Sequence, residues 1–173
     1  MYIKEVEGKP DTTTTRGKTQ IRGNDKLFPA SHTFSLIMAT RSRIGIELKD
    51  GSILSSYHHW DGYPSWLGRI LSTNYNSREL AAELIDGGDM SSCWADEIWG
   101  KKLPQGEYAP EYYSARGENC PPRYDKDMEE FFSMGEEYSY IFRDGKWVCY
   151  DIHEFDDASA PELVNIPTGA LAV

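Results

Sequence analysis

Residues 43–60 read RIGIELKDGSILSSYHHW. Ile44, Ile46 and Leu48 alternate with Arg43, Gly45 and Glu47, the two-residue period of a half-buried strand. Asp50-Gly51 supplies a tight turn, and Ile53 to Trp60 reads as the returning strand of a hairpin. On that strand Ser55, Tyr57 and His59 share one face, while Leu54, Ser56, His58 and Trp60 share the other. The same pattern recurs near the C-terminus, where Tyr138 to Phe142 and Lys146 to Ile152 flank Asp144-Gly145.

The segment between the hairpins reads as helical. Asp61-Gly62 breaks the strand, and Pro64 suits the first turn of a helix over Ser65 to Tyr75, with Trp66, Leu67, Ile70 and Leu71 as its apolar stripe. Asn76 or Ser77 can cap a second helix, Arg78 to Ile85, ended by Gly87-Gly88. Residues 99–124 hold Pro104, Gly106, Pro110, Gly117, Pro121 and Pro122, which predicts a long irregular loop. A short acidic helix over Asp125 to Ser133 follows. Together these elements predict an α+β domain, a mainly antiparallel sheet built from two hairpins at about 43–60 and 138–152 with two to three helices packed on it. With all four strands in one sheet, the YHHWD segment is expected near the Trp147 hairpin.

A chain of 173 residues has the size of one ordinary domain. Its formal charge of −10 opposes direct binding to nucleic acid or to an anionic membrane, and makes a basic partner the easier match. The three cysteines, Cys93, Cys120 and Cys149, are widely spaced without a CxxC, so they read as reduced thiols rather than a disulfide framework. No apolar run approaches the roughly 20 residues needed to span a bilayer. Residues 1–37 carry six cationic and four acidic side chains, which leaves −12 on the remainder. That stretch lacks a hydrophobic period, and predicts an arm or disordered leader placed before an internal start at Met38, or a surface arm adding an edge strand through Tyr2 to Val6. The expected organisation is that leader, a domain over 38–155 and an extended tail over 156–173.

Five blocks of the chain carry a likeness: MATRSRIGIELKDGS, YHHWDGYPSWLGRIL, NYNSRELAAELIDGGDMSS, SARGE and EEYSYIFRDGKWVCYDI. In that order, over Met38 to Ile152, they resemble a family of small bacteriophage and prophage proteins that start M-[GA]-T-R-S and carry a C-H-W-D-G-Y stretch. The resemblance implies a phage or prophage origin and brings no assigned chemistry. The position held by Cys in that pattern is His58 here, which argues against an essential thiol.

The YHHWD segment supports two readings. In the first, His59 is a general acid or base oriented by Asp61 or Glu118, and Arg41, Arg43 or Arg116 binds an anionic group beside Trp60. In the second the residues are architecture: Trp60 fills the core or an interface, Asp61 caps the following helix, Gly62 takes a conformation closed to other residues, and His59 satisfies a buried polar neighbour. Adjacent imidazoles on a strand point to opposite faces, so His58 and His59 cannot both join one metal site, and neither metal nor cofactor is expected. Phosphate-loop, dinucleotide-binding, zinc-protease and nucleophile-elbow motifs do not occur.

These readings converge on an expectation: a phage-encoded accessory protein in the host cytoplasm that binds a host or phage macromolecule through an acidic, aromatic-rich surface. That expectation covers host takeover or anti-defence action, with homo-oligomerisation open. The alternatives are a small enzyme acting on a phosphorylated metabolite or nucleotide, and a virion or assembly component.

Overall fold

The computed structural model describes residues 39–134, 136–152 and 160–169. The expectations about residues 1–37 and Met38, and part of the expected tail, lie outside these residues. Strand β1 (Ser42–Glu47) and strand β2 (Ile53–His58) form the first hairpin, with Arg43 opposite Tyr57 and Ser42 opposite His58. Its turn is closed by Gly51 at φ +84°, a conformation a side chain resists. A turn of π-helix, Pro64–Gly68, runs into α1 (Arg69–Asn74), and α2 (Arg78–Asp86) follows. Ser77 caps α2 by accepting the Leu80 N–H.

Strand β3 (Met90–Ala95), the small pair β4 (Glu97–Ile98) and β5 (Lys101–Lys102), and strand β6 (Ala109–Tyr112) come next. A 3-10 turn, Tyr113–Arg116, leads to β7 (Arg123–Asp125) and the short α3 (Met128–Phe132). The second hairpin is β8 (Tyr138–Arg143) and β9 (Lys146–Asp151), and β10 (Glu162–Val164) pairs with β9. The two central residues of the second hairpin's turn, Asp144 and Gly145, both have positive φ, the conformation that matches the twist of the flanking strands.

The sheet runs β10-β9-β8-β1-β2-β3-β6, with β7 also on β2. It is mainly antiparallel and the class is α+β, as the two-hairpin reading predicts. The hairpins meet where β1 lies parallel to β8. These two central strands are buried on both faces, which is why Ile44, Ile46, Tyr140, Ile141 and Phe142 are all inside. Leu67, Ile70, Leu71, Ala81, Leu84 and Ile85 of the helical segment cover one face. Phe131 and Phe132 of α3 cover part of the other, against Ile53, Ile141 and Ile152. No helix among the described residues is long and apolar enough to cross a membrane.

Two expectations change. The four hairpin strands share one sheet, yet β1 and β8 separate β2 from β9. Through the register Trp147–Phe142–Ile46–Leu54, Trp147 sits at the end of the sheet away from His58. The second hairpin reaches the DGYP turn through Tyr140 instead, whose hydroxyl donates to the Gly62 carbonyl at 2.7 Å. The other change concerns residues 99–124, which hold β5, β6, the 3-10 turn and the start of β7 rather than an irregular loop. Pro110 is compatible with β6 because that strand lies at the sheet edge, where no ladder donor is required of it.

Candidate functional site

The two adjacent histidines part company at the end of β2. His58 points into the core and is 1% exposed. Its Nε2 accepts the Cys93 backbone N–H at 3.1 Å, which leaves the ring proton on Nδ1, facing Ser42 Oγ at 3.2 Å. Burial, with a smaller contribution from neighbouring His59, pushes its pKa down to about 3. His58 is thus a neutral structural strut. His59 points the other way and is half-buried. Its Nδ1 lies 2.7 Å from the Tyr57 hydroxyl, and its ring meets Trp60 edge to face at 4.6 Å.

Trp60 is 41% exposed, so of the two places the architectural reading allowed, core or interface, it does not fill the core. That reading changes at the turn as well. The left-handed residue is Asp61, at φ +58°, and the N-cap of the following helix is Tyr63, without a side-chain capping bond. Gly62 is needed for closeness. A Cβ there would lie 2.7 Å from both Ser42 Oγ and the Thr40 carbonyl, to which Gly62 N–H donates at 2.8 Å.

The two arginines of the TRSR stretch differ in the same way. Arg43 is inside, its Nε 3.2 Å from Glu136 and its Nη1 donating to Ser55 Oγ at 3.1 Å. Ser55 donates on to Asp125 at 2.9 Å, and Asp125 pairs with Arg123 at 2.6 Å. Arg43 is therefore one link of a buried charge chain, paired and hydrogen-bonded as buried charges must be, and is not free to hold a ligand. Arg41 is exposed and close enough to Tyr57 to oppose the rise that burial imposes on the phenol's pKa.

Asp89 brings the SARGE segment alongside. Its carboxylate accepts the Tyr57 N–H at 2.8 Å, and its carbonyl accepts the Tyr113 N–H at 3.1 Å. From Tyr113 the chain makes one 3-10 turn, Gly117 ends it at φ +91°, and Glu118 N–H returns to the Tyr113 carbonyl at 3.3 Å. That return pairs the Glu118 carboxylate with Arg116 Nε. The guanidinium lies over the Trp99 ring at 4.1 Å and over Tyr113 at 4.9 Å. Trp99 is itself fixed: its N–H donates to Glu111 at 2.8 Å and its indole N–H to the Tyr112 carbonyl at 2.9 Å.

Of the residues singled out in the sequence, Arg41 and His59 thus lie at Tyr57, with Trp60 against the His59 ring, while Arg116 and Glu118 gather on Trp99 and Tyr113 one residue-bridge away. Asp61 is exposed in the turn, and Arg43 is interior. Tyr57 shared the predicted face of His59. Asp89, Trp99 and Tyr113 escaped sequence reading because their roles depend on contacts that join separate segments.

The site offers a hydrogen-bonded Tyr57–His59 pair beside an exposed indole, and a guanidinium stacked on two aromatic rings. Burial pushes the Cys93 and Cys149 thiols up to about 12, far from thiolates at neutral pH. Among the described residues no group of three or more His, Cys, Asp or Glu side chains could hold a metal ion. Cavities of about 460 and 490 Å³ lie elsewhere, one between Ser72 and the β9–β10 edge and one between α2 and Tyr112. No protein-family model, curated protein or solved structure matches this chain.

Proposed function

We propose that the chain is a phage- or prophage-encoded accessory protein that works in the host cytoplasm by binding a host or phage macromolecule. The observation carrying this reading is the aromatic platform in which Trp60, His59 and Tyr57 are tied through Asp89 to Tyr113, Trp99 and Arg116. Exposed or half-exposed Trp, Tyr and Arg on a rigid backing are the side chains that dominate binding energy at protein interfaces. The formal charge of −10 favours a partner with a basic surface and speeds encounter with it.

The enzymatic reading has one specific observation in its favour, the Tyr57–His59 hydrogen bond at 2.7 Å, which is competent for proton transfer. Binding is favoured over it because the ring pair lies beside an exposed indole rather than within either of the two cavities described.

The test is purification of the tagged protein from infected cells, wild type against Trp60→Ala. The expected result is a partner in stoichiometric amount with the wild type, lost in the variant while its melting temperature is unchanged. A partner retained by Trp60→Ala and by Trp99→Ala alike would remove the platform from the reading.

A further inference from the structure

We propose that Trp99, Tyr113 and Glu118 form a recognition site for an arginine side chain of the partner, which Arg116 of the same chain occupies until the partner's arginine replaces it. This rests on the binding reading above and names the chemistry of the partner group.

The site is read from what already fills it. A guanidinium lies over two aromatic faces, 4.1 Å from the Trp99 centroid and 4.9 Å from that of Tyr113, with a carboxylate on its Nε. Indole is the strongest aromatic partner for a cation, and a planar guanidinium can stack on it where a compact ammonium cannot. The two rings stand 5.9 Å apart with a 31° tilt, so both ring faces address one group. Arginine is therefore the class the site takes, ahead of lysine.

The rings are held independently of their occupant. Trp99 keeps φ +45°, a conformation costly for a bulky residue, and two hydrogen bonds lock its main chain and indole. Tyr113 is anchored by its N–H on Asp89. Arg116, by contrast, is 45% exposed, as is Glu118, and such a pair adds little to stability. Gly117 at φ +91° follows Arg116 directly and frees the main chain beside it from side-chain constraint. A partner's arginine that displaces Arg116 remakes the same contacts, so the exchange is close to neutral and the partner's remaining contacts decide it. Wrong partners without an arginine at that point meet a site already filled.

The test uses N-acetyl-arginine amide as probe, with N-acetyl-lysine amide beside it, and follows the Trp99 indole N–H resonance, assigned with Trp99→Phe. The full-length wild type and Arg116→Ala are titrated, with Arg116→Gln as a second vacated form. Removing the internal competitor should lower the half-saturating probe concentration roughly five- to tenfold, the occupancy expected from an exposed cation–π stack and ion pair together. Glu118→Gln added to Arg116→Ala should raise it again, and the lysine probe should bind more weakly throughout. Folded Arg116→Ala and Arg116→Gln that show no saturable shift, or the same half-saturation as the wild type, would overturn the proposal. No host partner enters this measurement, so loss of capture with intact probe binding removes the partner reading alone, and the reverse removes only the arginine site.

Discussion

The Tyr57 N–H donates to the Asp89 carboxylate at 2.8 Å, a side chain standing where a neighbouring strand would supply a carbonyl. β2 has its ladder partner on β7 from Ile53 to Ser55 and on β3 only at His58, so Tyr57 lies in the gap between them. Asp89 closes that gap and, through its own carbonyl, holds Tyr113.

Asp89→Ala leaves the Tyr57 donor without its partner, and an unmade bond at a partly buried group costs about 1 to 3 kcal/mol. Urea unfolding should show that loss. Tyr113 is held by the main-chain carbonyl of residue 89, which alanine keeps, so a shift of the Trp99 indole resonance in the same variant reports displacement of that main chain when the carboxylate is lost. A native resonance with full destabilisation would separate the strand from the SARGE turn.

Acid should weaken the fold through His58. Its folded pKa of about 3 lies below the ordinary value of 6.5, so the unfolded chain binds the proton first. The contribution of neutral His58 is intact above pH 6.5 and is lost as pH falls through that value toward 3, at up to about 1.4 kcal/mol per pH unit. Denaturation midpoints measured between pH 7 and 4 should fall, and His58→Gln should flatten this part of the slope. An equal slope in that variant would assign the acid sensitivity to other groups.

At the turn, Gly62→Ala should be severe and Asp61→Gly mild. The added methyl meets Ser42 Oγ and the Thr40 carbonyl at 2.7 Å, a backbone-level collision that costs on the order of 2 to 4 kcal/mol. Asp61 already holds φ +58°, which glycine adopts freely. Thermal melting of the two variants checks the order, and the reverse order would return the strain to Gly62.

Breaking the buried charge chain on one side should cost more than removing both partners. Arg43→Met alone strands Glu136, a loss of about 3 to 5 kcal/mol, whereas Arg43→Met with Glu136→Leu should recover much of it. A double-mutant cycle in guanidinium unfolding measures the coupling, and additive losses would show that the two side chains act separately.

Local chemistry was legible in the sequence where it needed only neighbours along the chain. Asp50-Gly51 and Asp144-Gly145 each close a hairpin whose alternating residues can bury one face, and Ser77 starts α2 where a capping hydroxyl should. The parity of β2 likewise separated His58 from His59 before any coordinates, because a strand has two faces and no other choice. Which of the two was buried did not follow, since it depended on Cys93 and Ser42 arriving from β3 and β1.

Tertiary structure decided the rest. Whether β1 meets β8 or another strand is a long-range pairing, and MSSCWA at Met90–Ala95 shows no alternation that would announce a strand. Arg41 and Arg43 look equivalent in TRSR, yet one reaches solvent and the other is sealed against Glu136, because Glu136 comes from beyond α3. The SARGE segment was readable as a loop whose Arg116 and Glu118 were candidates for an anion site with His59, not as partners of Trp99 and Tyr113. Its Gly117 turn folds Glu118 back onto Arg116, and the edge strand β6 delivers Trp99's anchors, Glu111 and Tyr112, so the platform exists only once the chain has closed on itself.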